Sequence, residues 1–222
     1  MKLTIKIIVL TCIVLGLSES ANAQQYLYEI GPTAGASFYS GDANNYAYFQ
    51  KPQSVFGISL RRNFNFRTAL KLDLLSANAA YDPIKENLPD PNVASKTINY
   101  FDANAHLEYS FFSYSDSFEY KETRRFTPYI FTGIGTNFVN GSVIPYLPIG
   151  VGIKYKIFHR WSVGLEYSAN MMFKDNFEGD PSLDNPYKAN SSIFKNNDWV
   201  SYLKFNLTFD FWERGCRCNK NK

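Results

Sequence analysis

The sequence is poor in the residues that most chemistry needs. It has 3 Cys and only 2 His among 222 residues. So few cysteines exclude a disulfide-built scaffold. Two histidines, His106 and His159, leave little for acid–base catalysis. Charged residues are 19% of the chain and the net charge is +3, too small and too evenly spread for a nucleic-acid surface. After the N-terminus no apolar run approaches the ~18 residues of a membrane helix. A polytopic helical membrane protein is therefore excluded. What the chain does hold is aromatic: Phe 19 and Tyr 16, too many for a disordered polymer.

Residues 1–23 read as a secretory signal. Lys2 and Lys6 give a positive start, Ile7 to Leu17 is apolar, and Ala21-Asn22-Ala23 is a small-residue cleavage site. An uncleaved anchor would need a longer apolar stretch. A lipoprotein reading would have to use Cys12, which lies inside the apolar core after a poorly fitting Thr. The mature chain is expected to begin at Gln24, outside the cytosol.

The mature chain alternates with a period of two. Phe101, Ala103, Ala105, Leu107, Tyr109 and Phe111 share one face; Asp102, Asn104, His106, Glu108 and Ser110 share the other. Trp199 to Phe211, Trp161 to Met171 and Ile149 to Ile157 repeat the pattern. Water-facing antiparallel strands also alternate, but are usually nearer 5–6 residues. Alternation over 9–11 residues, with aromatics at the ends (Tyr28, Phe38, Phe101, Phe111, Trp161, Trp199, Phe211), marks membrane-spanning strands. Eight segments follow this rule: 26–39, 53–61, 67–79, 97–111, 127–138, 147–157, 161–173 and 199–211. The first contains Pro32, and the fifth, with Tyr129, Phe131, Gly133 and Gly135, has an ambiguous register.

Eight is an even number, as a closed single-chain bacterial barrel requires, and lipid tolerates no open sheet edge. The expectation is an all-β, eight-stranded antiparallel transmembrane β-barrel over 24–211, followed by a periplasmic tail over 212–222. It is OmpA/OmpX-like and located in the cell outer membrane. Both ends lie on the periplasmic side. Outer loops are expected at 40–52, 80–96, 139–146 and 174–198, and inner turns at 62–66, 112–126 and 158–160. On this assignment the outer loops are net acidic and the inner turns and tail net basic.

The interior of eight strands is just wide enough for side chains to fill. Its charges are expected to pair with one another as a plug: Glu29, Lys71, Asp73, Asp102, His106, Glu108, Lys154, Lys156, Glu166, Lys204 and Asp210. Function then falls to the loops, the turns or the tail. An enzyme would have to rest on His106 with Asp102, Glu108, Ser110 and Ser168, which need hydrogen-bond contact; a satisfied lumen histidine is the simpler reading. No cofactor is expected. Asp175, Glu178, Asp180 and Asp184 offer hard oxygen ligands in the longest outer loop, but in no established calcium spacing, and no metal is assigned. Cys216-Arg217-Cys218 forms a strained local disulfide, bonds a partner chain, or is inert.

Several stretches together resemble a known family. They are Glu29-Ile30-Gly31 through Ser40-Gly41-Asp42, Phe126-Thr127-Pro128-Tyr129-Ile130-Phe131-Thr132-Gly133, and Leu147-Pro148-Ile149-Gly150-Val151-Gly152. Phe173-Lys174-Asp175-Asn176 with Asn197-Asp198-Trp199, and the Cys-x-Cys tail, complete them. The chain resembles the PorG-type outer-membrane β-barrel proteins of Bacteroidetes, associated with type IX secretion. That resemblance implies an anchoring or accessory role. The barrel's periplasmic face would hold a ring of a lipoprotein and a periplasmic partner, in the machine that exports proteins with C-terminal sorting domains. The residues expected on that face are Arg61, Arg62, Arg67, Glu119, Lys121, Arg124, Arg125, Arg160, Arg214, Cys216, Arg217 and Cys218. A basic face steers acidic partners. It also suits lipid headgroups or peptidoglycan, or serves merely as a soluble rim. The rival reading is a structural or adhesion barrel binding ligand through loops 80–96 and 174–198. A small channel is the remaining one.

Overall fold

Alternation this long closes on itself. The computed structural model describes residues 26–40, 51–81, 84–85, 88–89, 96–115, 123–139, 141–173 and 199–213. Its elements are β1 (Tyr26–Ser40), β2 (Gln53–Asn63), β3 (Thr68–Tyr81), β4 (Ile84–Lys85), β5 (Leu88–Pro89), β6 (Lys96–Ser110), β7 (Phe126–Val139), β8 (Ser142–Phe158), β9 (Trp161–Met172) and β10 (Trp199–Glu213). Eight of them form one closed barrel in the order β1-β10-β9-β8-β7-β6-β3-β2, every pair antiparallel. β4 and β5 pair only with each other, a two-residue hairpin within the expected outer loop 80–96.

The seam between first and last strand completes the ring, with Tyr28 opposite Phe211 and Ser40 opposite Trp199. Pro32 does not break β1. It sits opposite Ile58 of β2, and the pairing towards β10 skips from Ile30 to Thr33 at this point. The missing N–H therefore falls where the seam ladder is already interrupted. Gly31 beside it has a packing reason: a Cβ there would lie 1.8 Å from the Leu207 carbonyl oxygen.

The expected loop 139–146 is corrected. β7 runs on to Val139 and β8 starts at Ser142, joined by a tight turn in which Gly141 takes φ 79°. Val139 pairs with Ser142 and Phe138 with Val143, so alternation carries on to the hairpin tip. The register of β7 is also settled: Tyr129 and Phe131 are buried inward, and Ile130 and Ile134 point out.

The outer surface carries a belt of exposed apolar side chains, including Phe56, Leu74, Phe101, Leu107, Ile130, Ile149, Val151 and Phe205. On β6 the belt runs from Phe101 to Phe111. At about 3.4 Å per residue and a tilt of about 40° it stands about 26 Å tall, the height of a bilayer's hydrocarbon layer. Aromatics mark both edges. Phe111, Phe126, Phe158, Trp161 and Trp212 lie at the end that carries Tyr26 and Glu213. Phe56, Phe101, Phe138 and Phe173 lie at the other. Phe38 is the exception among the strand-end aromatics, buried rather than facing lipid. The closed sheet and its belt make this an outer-membrane barrel. The end where β1 begins and β10 finishes is periplasmic.

Candidate functional site

The lumen divides into two halves with different chemistry. In the periplasmic half, the described residues include five buried cations (Arg61, Lys71, Lys154, Lys156, Lys204) and six buried carboxylates (Glu29, Asp73, Asp102, Glu108, Glu166, Asp210). Period two makes this unavoidable: with Leu72, Leu74, Phe205 and Leu207 turned to lipid, their neighbours must turn inward.

Arg61 is the hub. Its Nη1 donates to Glu29 Oε2 at 2.5 Å and its Nε to Glu108 Oε1 at 3.1 Å, with Glu166 Oε1 3.7 Å from Nη2. This corrects the expectation that Arg61 lies on the periplasmic rim. It falls two residues before the end of β2, on the phase of Ser59 and opposite Glu29 and Lys71, and that phase points into the barrel. Glu29 also accepts from Asn63 Nδ2 at 2.8 Å and Thr208 Oγ1 at 3.2 Å. Lys71 donates to Glu166 Oε1 at 2.6 Å, and Lys204 to Asp73 Oδ2 at 2.7 Å. Lys154 reaches Glu108 at 3.4 Å, and Lys156 pairs with Asp210.

Tyrosines complete the network, and sequence reasoning passed over them. Tyr129 reaches from β7 across Gly152 of β8 and donates to Glu166 Oε1 of β9 at 2.6 Å. Tyr146 reaches from β8 across Gly135 of β7 and donates to Asp102 Oδ2 of β6 at 2.6 Å. Each ring occupies the space that a Cβ on its glycine would fill. The Thr-Gly-Ile-Gly and Ile-Gly-Val-Gly runs, beside inward tyrosines, were the available signal.

His106 lies inside this network. Its Nδ1 is 3.0 Å from Asn104 Oδ1, and its ring packs on Phe131 at 4.5 Å between centroids. Among the described residues no hydrogen bond joins it to Ser110 or Ser168, so the serine-histidine constellation is not assembled. Asp73, His106 and Glu166 each bring one potential metal ligand atom within 4.8 Å of the others. The ammonium groups of Lys71 and Lys204 lie within 3.4 Å of both carboxylates, so protein cations already neutralise the place a metal would take.

The extracellular half of the lumen is mainly apolar, with Ser37, Asn137 and Asn170 as buried polar side chains at its level. Tyr39, Val55, Leu75, Ala77, Ala79, Ile98, Val139, Ile144, Met172 and Val200 form a buried cluster there. Three tyrosines separate the halves. Tyr100 donates to Tyr202 at 2.9 Å, and Tyr202 and Tyr146 both donate to Asp102. The lumen is thus filled along its length, as an eight-stranded barrel allows.

The described ends of the long inner turn, 112–115 and 123–125, stand at the periplasmic mouth. Tyr114 pairs with Arg124 in an isolated bridge and is buried, its hydroxyl 2.9 Å from Ser162 Oγ. Lys154 and Lys156 lie 4.9 and 5.3 Å from its ring centroid. Burial, with Glu29 nearby, pushes the Tyr114 phenol above its usual pKa. Around this mouth stand the remaining basic residues. Arg62, Arg67, Arg124 and Arg160 are exposed and Arg125 half-buried. Glu119, Lys121, Arg214, Cys216, Arg217 and Cys218 fall outside the described residues, as do the signal segment and the acidic loop residues Asp175, Glu178, Asp180 and Asp184.

Among solved structures the chain is similar to Neisserial surface protein A (NspA), at 16% identity over 86% of this chain and 100% of that one, TM-score 0.49. It is similar to the N-terminal β-barrel domain of Pseudomonas aeruginosa OprF, at 11% identity over 83% and 100%, TM-score 0.46. The outer membrane protein OprG of Pseudomonas aeruginosa follows at 11% identity over 86% and 98%, TM-score 0.44. No curated protein matches the chain. Over residues 6–220 its sequence fits one family model, and the protein belongs to that family, described as a domain of unknown function, DUF6089.

Proposed function

We propose that this barrel is a non-enzymatic anchor or accessory of the type IX protein secretion machinery, acting through its periplasmic face. The observation that carries this reading is the filled lumen. Among the described residues, ion pairs below and mainly apolar side chains above fill the barrel and leave little room for an aqueous path. Its work must therefore be done at its ends. The periplasmic end offers a partner the basic rim, the inner turn 112–126 and the tail, and the PorG-type resemblance supplies the class of partner, a periplasmic lipoprotein ring. His106 is held by Asn104 and Phe131 without a nucleophile, which supports the non-enzymatic reading.

The test is a pull-down of the tagged protein from separated outer membranes in mild detergent, with partners identified by mass spectrometry. A stoichiometric periplasmic lipoprotein is the expected result. Truncation after Trp212 should then weaken its recovery without loss of the heat-modifiable fold. Recovery of the folded barrel alone removes the anchoring role.

A second reading has its own observation. The strands run beyond the belt on the extracellular side, so the strand ends that carry the outer loops lie above the lipid surface. An adhesion or structural barrel would use loops 80–96 and 174–198. Shortening those loops would then abolish binding while tail truncation would not.

A further inference from the structure

Each of the three inner turns carries exposed arginine. Arg62 and Arg67 flank the first, Arg124 lies in the second and Arg160 in the third. They ring the barrel just below the aromatic edge of the belt formed by Phe111, Phe126, Trp161 and Trp212. Three are laid on aromatic rings. The Arg62 guanidinium is 5.4 Å from the Phe64 centroid and 6.0 Å from that of Tyr28; Arg124 is 4.6 Å from Phe112; Arg160 is 5.6 Å from Tyr26. Stacking holds a guanidinium in place by its face and leaves its N–H edge free to donate.

The acids whose side chains are described at this end point elsewhere. Of the carboxylates on the strands at this end, Glu29, Glu108 and Asp210 are buried in the lumen network, and Glu213 is the last residue of β10. No described carboxylate forms an ion pair with Arg62, Arg124 or Arg160. Among the described side chains of this rim, the result is a ring of oriented donors of one sign. It lies at the depth where the belt ends and the headgroups of the inner leaflet begin.

We propose that this arginine collar binds the phosphate groups of anionic phospholipid in the inner leaflet of the outer membrane. Arginine presents two parallel N–H groups to a phosphate, which a lysine cannot. The aromatic ring beneath each guanidinium lies against the glycerol and upper acyl region. The inference is independent of the secretion reading. It assigns these arginines to lipid and leaves the rest of the turn 112–126 and the tail as the surface for a protein partner.

The folded full-length mature chain, in a W199F background, leaves Trp161 and Trp212 at the collar as the only tryptophans. Quenching by brominated phosphatidylglycerol against brominated phosphatidylcholine in mixed vesicles gives their relative association constants. A preference for phosphatidylglycerol of at least about fivefold is expected, roughly the effect of one surface arginine at an anionic membrane. It should fall to about one in R62Q/R124Q/R160Q. Should that variant fail the heat-modifiability test of folding, R160Q alone and the unmutated protein at about 0.5 M salt are read instead; both should lose much of the preference. Equal quenching by the two lipids overturns the proposal. So does a preference that the substitutions and salt leave unchanged. If the triple variant keeps its lipid preference but loses a co-purifying periplasmic protein, the collar is a protein surface and the lipid assignment falls.

Discussion

β3 passes through both halves of the barrel and obeys opposite rules in each. Near the periplasm Lys71 and Asp73 point inward while Leu72 and Leu74 face out. Beyond Leu74 the pleat keeps its phase but the polarity reverses: Leu75, Ala77 and Ala79 point inward and Ser76 faces out. The other strands agree. On β10, Lys204 is inward with Leu203 outward, and one step higher Tyr202 and Val200 are inward with Ser201 outward. On β6, Asn99 is exposed and Tyr100 buried just above Phe101 and Asp102. The backbone pleat is the same throughout. What changes is the medium outside. Against hydrocarbon an outward leucine costs nothing, and the narrow lumen takes the polar side chains. Against water the apolar side chains gain by turning inward. The reversal marks the upper surface of the membrane. Above it β6 continues for five residues, Lys96 to Tyr100, about 13 Å of barrel that stands in water.

The two halves should therefore respond differently to substitution. Arg61→Ala should cost most, about 3–5 kcal/mol, because Glu29, Glu108 and Glu166 lose a shared buried cation. Urea unfolding of the barrel in lipid vesicles measures it. A cost below about 1 kcal/mol would mean that water enters the lower lumen and screens those charges. Leu75→Ala tests the upper half as a water-immersed core, with an expected loss of about 3 kcal/mol from the cavity. Tyr146→Phe probes the boundary. Removing the hydroxyl from Asp102 leaves Tyr202 and Asn104 as donors, so about 1–2 kcal/mol should be lost. The mildest comparison locates the membrane surface itself. Leu74→Arg should cost about 1–2 kcal/mol, and Ser76→Arg less than about 0.5 kcal/mol. Equal costs at 74 and 76 would move the boundary.

The sequence was legible where two independent periods agreed. Alternation at Phe101–Phe111 and Trp199–Phe211 identified the strands and sorted lumen from lipid, because a pleat leaves no other choice. It failed at three kinds of place. Arg61 stands beside Arg62 near a strand end, and only the pairing with Glu29 and Lys71 shows which of the two turns inward. Residues 139–146 lack strong alternation of charge, since above the membrane both Val143 outside and Ile144 inside are apolar. The tyrosines at 129 and 146 act across a neighbouring strand, and no reading along one strand finds a partner two strands away.

Composition and period alone determined that this chain spans a membrane with eight strands and that its charges cannot face lipid. Both follow from the cost of unpaired backbone and of ions in hydrocarbon. Which charge meets which was decided only by barrel closure. Shear sets the register of β1 on β10 and of each strand on the next, and so brings Arg61 to Glu108 across 47 residues and Lys204 to Asp73 across 131. The same closure decided that the lumen is filled, because the width left by eight tilted strands depends on the ring they form.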